Sequence, residues 1–154
     1  MRRYALIFAA ALAGCAPKKG PTAAQEPAAP VEPLLDQCNR LIGAINAVTP
    51  SLIAATEAME NVATQPSVVG DYEATVQEAI DAMNGIELPD ARLTELAHAY
   101  AKLFERSKPL AASVAAAAQD ADALDEITVE ADAIKTLEDR LVDDLNAYCE
   151  QGTR

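Results

Sequence analysis

The chain has 154 residues, 24 acidic against 12 basic, and a net charge of −12. That balance repels polyanions, which argues against nucleic acid as a partner. The length suffices for one domain with a real core, and a composition with no Trp, four Tyr and two Phe points to a lean one.

The first element is Met1-Arg2-Arg3-Tyr4, a positively charged start. An apolar run from Ala5 to Leu12 follows, then the small pair Ala13-Gly14 ahead of Cys15. This is the three-part order of a secretory signal. The apolar run is far shorter than the roughly 20 residues that span a bilayer, so it predicts no permanent transmembrane helix. Leu12-Ala13-Gly14-Cys15 resembles the lipobox of bacterial lipoproteins. The resemblance covers residues 1–15 only. It implies a signal peptide over 1–14, cleavage between Gly14 and Cys15, a diacylglycerol group on the Cys15 sulfur and a further acyl chain such as palmitate on the new amino group. It also implies a bacterial cell-envelope location, with the bilayer as a partner through acylated Cys15. Ala16 follows the cysteine where an Asp would mark inner-membrane retention. In a Gram-negative organism the resemblance therefore implies the periplasmic face of the outer membrane. Arg2-Arg3 lacks the flanking residues of a twin-arginine signal. Removing Arg2 and Arg3 leaves 10 basic against 24 acidic residues, a net charge of −14.

Residues 15–33 form the second element, a tether with prolines at 17, 21, 27, 30 and 33 and almost no large apolar side chain. Such a segment buries too little to offset its ordering entropy, and it predicts a disordered, polyproline-like spacer. Its upper reach is about 55 Å at about 3.1 Å per residue. Lys18 and Lys19 lie at the membrane end, where each would contribute about 1 kcal/mol of attraction to anionic headgroups.

Residues 34–150 carry apolar positions at helical spacing and few strand signals. Leu34, Leu35, Cys38, Leu41, Ile42, Ile45, Val48, Leu52, Ile53, Met59 and Val62 predict a helix over about 34–64. Pro50 falls inside it, and because the register continues past the proline we expect one kinked helix rather than two. Tyr72, Val76, Ala79, Ile80 and Met83 predict a helix over 68–84, closed by Asn84-Gly85. Leu93, Leu96, Ala97, Tyr100, Leu103, Phe104, Leu110 and Val114 predict one over 90–118, with Pro109 as a second kink. Leu124, Ile127, Ala131, Ile134, Leu137, Leu141, Leu145 and Tyr148 alternate by three and four and predict one over 122–150. Four helices with short loops predict an all-α, up-down-up-down bundle.

The cysteines bear on that topology. With Cys15 committed to lipid, Cys38 and Cys149 remain, and an oxidising envelope joins such a pair. Cys38 lies near the start of the first helix and Cys149 near the end of the fourth. An even number of alternating helices brings those ends together, whereas three would separate them by about 40 Å at 1.5 Å per residue. The bridge would close a loop of about a hundred residues and contribute about 4–5 kcal/mol in the chain-entropy model.

Chemistry-bearing constellations are weak. Glu95-Leu96-Ala97-His98 has the Glu-x-x-His spacing of di-iron bundles, but His98 is the single histidine and the second motif is missing. His98 also lies off the apolar stripe and is expected on the surface. No Cys-x-x-Cys-His marks haem, and Met59 and Met83 read as core filler. No serine or cysteine stands with a histidine base. Residues 120–150 hold eleven acids against Lys135 and Arg140, a charge of −9. Asp139, Asp143 and Asp144 are the densest group, yet they lack an EF-hand loop and read as a solvated face.

The sequence thus predicts no enzyme, no cofactor, no metal and no nucleic acid. It predicts a lipid-anchored helical interaction or scaffold domain that meets an envelope protein. The alternatives are a bundle that holds a small or hydrophobic ligand between helices kinked at Pro50 and Pro109, and, with less support, a metal- or haem-binding bundle.

Overall fold

A computed structural model of the chain describes residues 32–117 and 121–152. Among these residues there is no strand. Helix α1 spans Leu34–Ala58, α2 Val68–Gly85, α3 Ala91–Ala117 and α4 Ala121–Gln151. The first helix is shorter than the apolar spacing suggests. At Met59–Asn61 the chain tightens into a single 3-10 turn. Val62 still reaches the interior from there, so the hydrophobic pattern outlasts the α-helix that began it.

Both interior prolines are accommodated without breaking their helices. The residues whose carbonyls lose a helical donor are Asn46 and Glu105, four positions earlier, and both are exposed, as are the prolines themselves. A missing bond on the water side of a helix costs least, because solvent takes its place. Beside Pro50, the Thr49 hydroxyl donates to the Ile45 carbonyl at 2.8 Å.

Helix α3 is the central element. Leu93, Leu96, Ala97, Tyr100, Phe104 and Ala111 are among its eleven buried residues, and it packs against both α2 and α4. Helix α1 rests mainly on α2, with less extensive contact to α3 and α4. Leu41, Val76, Met83, Leu93, Ile134 and Leu145 are the best-sealed large side chains. Between Arg40 and Glu57 helix α1 carries no charged residue, and by length and composition alone Leu34–Asn61 would span a bilayer. Cys38, Leu41, Ile45 and Leu52 root it in the core instead, while its outer positions are small or polar: Gly43, Asn46, Ala47, Ser51 and Ala54.

Two ion pairs fix how α3 and α4 run. Arg92 reaches Asp144 at 3.7 Å, and the Arg106 guanidinium holds Glu130 through two bonds of 2.5 and 3.0 Å. As the residue number rises on α3 it falls by the same amount on α4, so the two are antiparallel and in register. The Glu130 carboxylate accepts charge-assisted bonds from Arg106, which draw it below its ordinary range.

Candidate functional site

The positions expected to carry the lipid and the cleavage, Gly14 and Cys15, lie outside the described residues, as do Lys18, Lys19 and residues 15–31 of the tether. The expected pair Cys38–Cys149 is joined by a disulfide, with Cα atoms 5.9 Å apart. That distance lies within the range a bridge requires.

Around the bridge the start of α1, the end of α2, the start of α3 and the end of α4 are tied into one pole. Asp90 is its hub. Its carboxylate accepts from the Leu93 backbone N–H at 2.9 Å, which caps the first turn of α3. The same group accepts from the Tyr148 hydroxyl of α4 at 3.0 and 3.1 Å. Its backbone N–H donates to the Gln37 side chain of α1 at 2.8 Å. One residue therefore joins three helices. Burial, together with the hydrogen bond to Asp90, pushes the Tyr148 phenol above its ordinary value.

The chain entering the bundle is pinned here as well. Buried Gln37 donates to the Glu32 carbonyl at 3.0 Å, and Arg40 pairs with the Glu32 carboxylate while donating to the Glu87 carbonyl at 2.7 Å. Gly152, just past α4, lies against Leu34, so that a Cβ there would come within 3.1 Å of that side chain.

The remaining expected positions are spread apart. His98 is exposed on α3. Met83 is buried in the core and Met59 packs half-buried at the end of α1. Asp139 pairs with Lys135 at 3.2 Å and Asp144 with Arg92, so these two acids are engaged rather than converging on a cation. Among the described residues no group of three His, Cys, Asp or Glu side chains is placed to hold a metal.

Two features of this region escape the sequence reading. Asp90 is legible as a helix opener after Pro89, but nothing in the spacing signals its bonds to Gln37 and Tyr148. Glu138, which the charge count assigns to the acidic face, is half-buried in the apolar stripe of α4. Its position four residues after Ile134 and three before Leu141 was the available signal.

No family model matches the chain, and no curated protein or solved structure is similar to it.

Proposed function

We propose that this chain is a membrane-anchored lipoprotein of the bacterial cell envelope whose helical domain is a non-enzymatic interaction or scaffold module. The observation that carries the proposal is the Leu12-Ala13-Gly14-Cys15 motif behind a charged start and a short apolar run. Cys15 is the acylated residue, residues 1–14 are the signal, and 15–33 are the spacer. In a Gram-negative organism the destination is the periplasmic face of the outer membrane. The Cys38–Cys149 disulfide supports an oxidising compartment, where such bonds persist.

The arrangement of the domain in this reading is an up-down-up-down four-helix bundle. The antiparallel ion pairs of α3 and α4 support it, and so does the meeting of both chain ends of the domain at the disulfide pole. An acidic body on a spacer with a basic foot would stand off an anionic surface and present itself to envelope proteins.

Labelling cells with an alkyne-bearing palmitate tests the anchor. The wild-type chain should incorporate the label and partition with membranes, and Cys15→Ser should lose both properties. An unlabelled, soluble wild-type chain would overturn the reading. Crosslinking the acylated protein in cells then identifies what the acidic bundle meets.

A further inference from the structure

Gly85 is spared the duties that usually place a glycine at a helix end. Closure of α2 by Asn84-Gly85 would put the glycine in the left-handed region, yet no glycine among the described residues has a positive φ. Gly85 is instead the last helical residue of α2, and the backbone turns extended at Ile86. Packing does not require it either, since a Cβ there would meet nothing within 4 Å. What the glycine supplies is a main-chain nitrogen with no side chain beside it, directly after an exposed asparagine. The other asparagines are followed by Arg40, Ala47, Val62 and Ala147. Of these, Asn39, Asn46 and Asn61 are exposed too, so it is the neighbour and not exposure that sets Asn84 apart.

The end of α2 is loosely held. Met83 is its last buried residue, and both Asn84 and Gly85 are exposed. Glycine weakens a helix in which it sits. No basic residue in the last turn offsets the negative end of the helix dipole. Helix ends of this kind open locally while the rest of the fold stays intact. Just beyond, the chain is fixed again. The Glu87 carbonyl accepts from Arg40 at 2.7 Å, the Leu88 carbonyl accepts from the Thr94 hydroxyl at 2.9 Å, and Leu88 is buried. Residues 84–86 are thus a weak link between Met83 and the polar ties around Asp90.

We propose that Asn84-Gly85 is a self-modification site, at which the asparagine amide is lost through a cyclic imide, and that opening of the last turn of α2 gates the reaction. Asparagine is a thermolabile side chain. The Gly85 nitrogen gives up its proton and attacks the side-chain carbonyl carbon of Asn84. The new C–N bond closes the imide, the bond to the side-chain nitrogen breaks, and ammonia leaves with the proton. Water then opens the ring. Cleavage at the side-chain carbonyl gives aspartate. Cleavage at the main-chain carbonyl gives isoaspartate, whose backbone is one carbon longer. No oxidant or reductant takes part. The helix restrains the first step, because helical backbone engages the Gly85 N–H with the carbonyl four residues earlier and turns that nitrogen away from the Asn84 side chain. Either product places a carboxylate at the negative end of α2. Isoaspartate also lengthens a link whose far side is fixed by Arg40 and Thr94.

The test ages the full chain in detergent at mildly alkaline pH and follows every asparagine by peptide mapping. Mass spectrometry reads the gain of one mass unit, and electron-transfer fragmentation separates isoaspartate from aspartate. Asn84 should convert several-fold faster than Asn39, Asn46, Asn61 and Asn146, with both products present. In urea, with the disulfide intact, its conversion should be several-fold faster again. Gly85→Ala, which the negative φ and the open space around the position admit, should bring Asn84 down to the rate of the other asparagines in both conditions. A folded chain in which Asn84 converts no faster than the exposed Asn39, Asn46 and Asn61 overturns the site. Equal rates in the folded chain and in urea overturn the gate. A Gly85→Ala chain that keeps the wild-type rate in urea overturns the role of the glycine nitrogen, and that arm reads the same whether or not the variant folds.

Discussion

The two ends of this domain are held by different means. At the disulfide pole, α1 and α4 are covalently joined, Asp90 bonds to three helices, and Leu145, Cys38 and Leu41 are sealed. Toward the other end, α4 presents Leu124 and Ile127 only half-buried and Val129 71% exposed. There the described polar link between α3 and α4 is the solvent-exposed Arg106–Glu130 pair. An alanine-rich chain has little apolar area to distribute. This one concentrates covalent and polar ties where its termini meet and leaves the far end to thinner packing.

That contrast can be broken in order of size. Replacing Cys38 and Cys149 together by Ala should cost about 4–5 kcal/mol, since the bridge spans 111 residues. Urea unfolding of the variant and of the reduced wild type would measure it, and a loss no larger than that of a surface substitution would mean the pole is held by packing alone. Leu145→Ala should come next, at about 2–5 kcal/mol for a fully buried leucine, with Leu124→Ala costing much less. Equal losses at the two positions would erase the distinction between the ends. Asp90→Ala should cost about 1–2 kcal/mol, the range of a lost helix cap, and should also release Tyr148. Tyr148→Phe, which keeps the cap, separates those contributions in the same denaturation assay. Arg106→Ala should be the smallest, leaving the midpoint within experimental scatter, because exposed ion pairs contribute little.

The four helices are legible in the sequence because period and burial agree in them. Leu93, Leu96, Tyr100 and Phe104 fall on one stripe and are all buried. The cysteine pair is legible for a different reason, since the lipobox resemblance sets Cys15 aside and leaves two cysteines to pair. The end of α1 is less so. Met59 and Val62 continue the apolar spacing, and spacing does not distinguish an α-turn from the tighter 3-10 turn at Met59–Asn61. The Asp90 hub is hidden because its partners Gln37 and Tyr148 lie 53 and 58 residues away, and such bonds leave no local pattern. Glu138 is hidden for the opposite reason. Its charge outweighs its position when residues are sorted by polarity, so a member of the inner stripe is counted with the outer face.

The clip at Glu32 has a mechanical consequence. A pull applied to the chain ahead of Glu32 would first meet Arg40 and Gln37 and then, six residues on, the sulfur crossing at Cys38. From Cys38 the load divides between α1 and the far end of the polypeptide. An unclamped first helix would peel away one turn at a time under such tension. Here peeling would have to begin beyond the crossing, so a load applied ahead of Glu32 enters the domain through two helices at once.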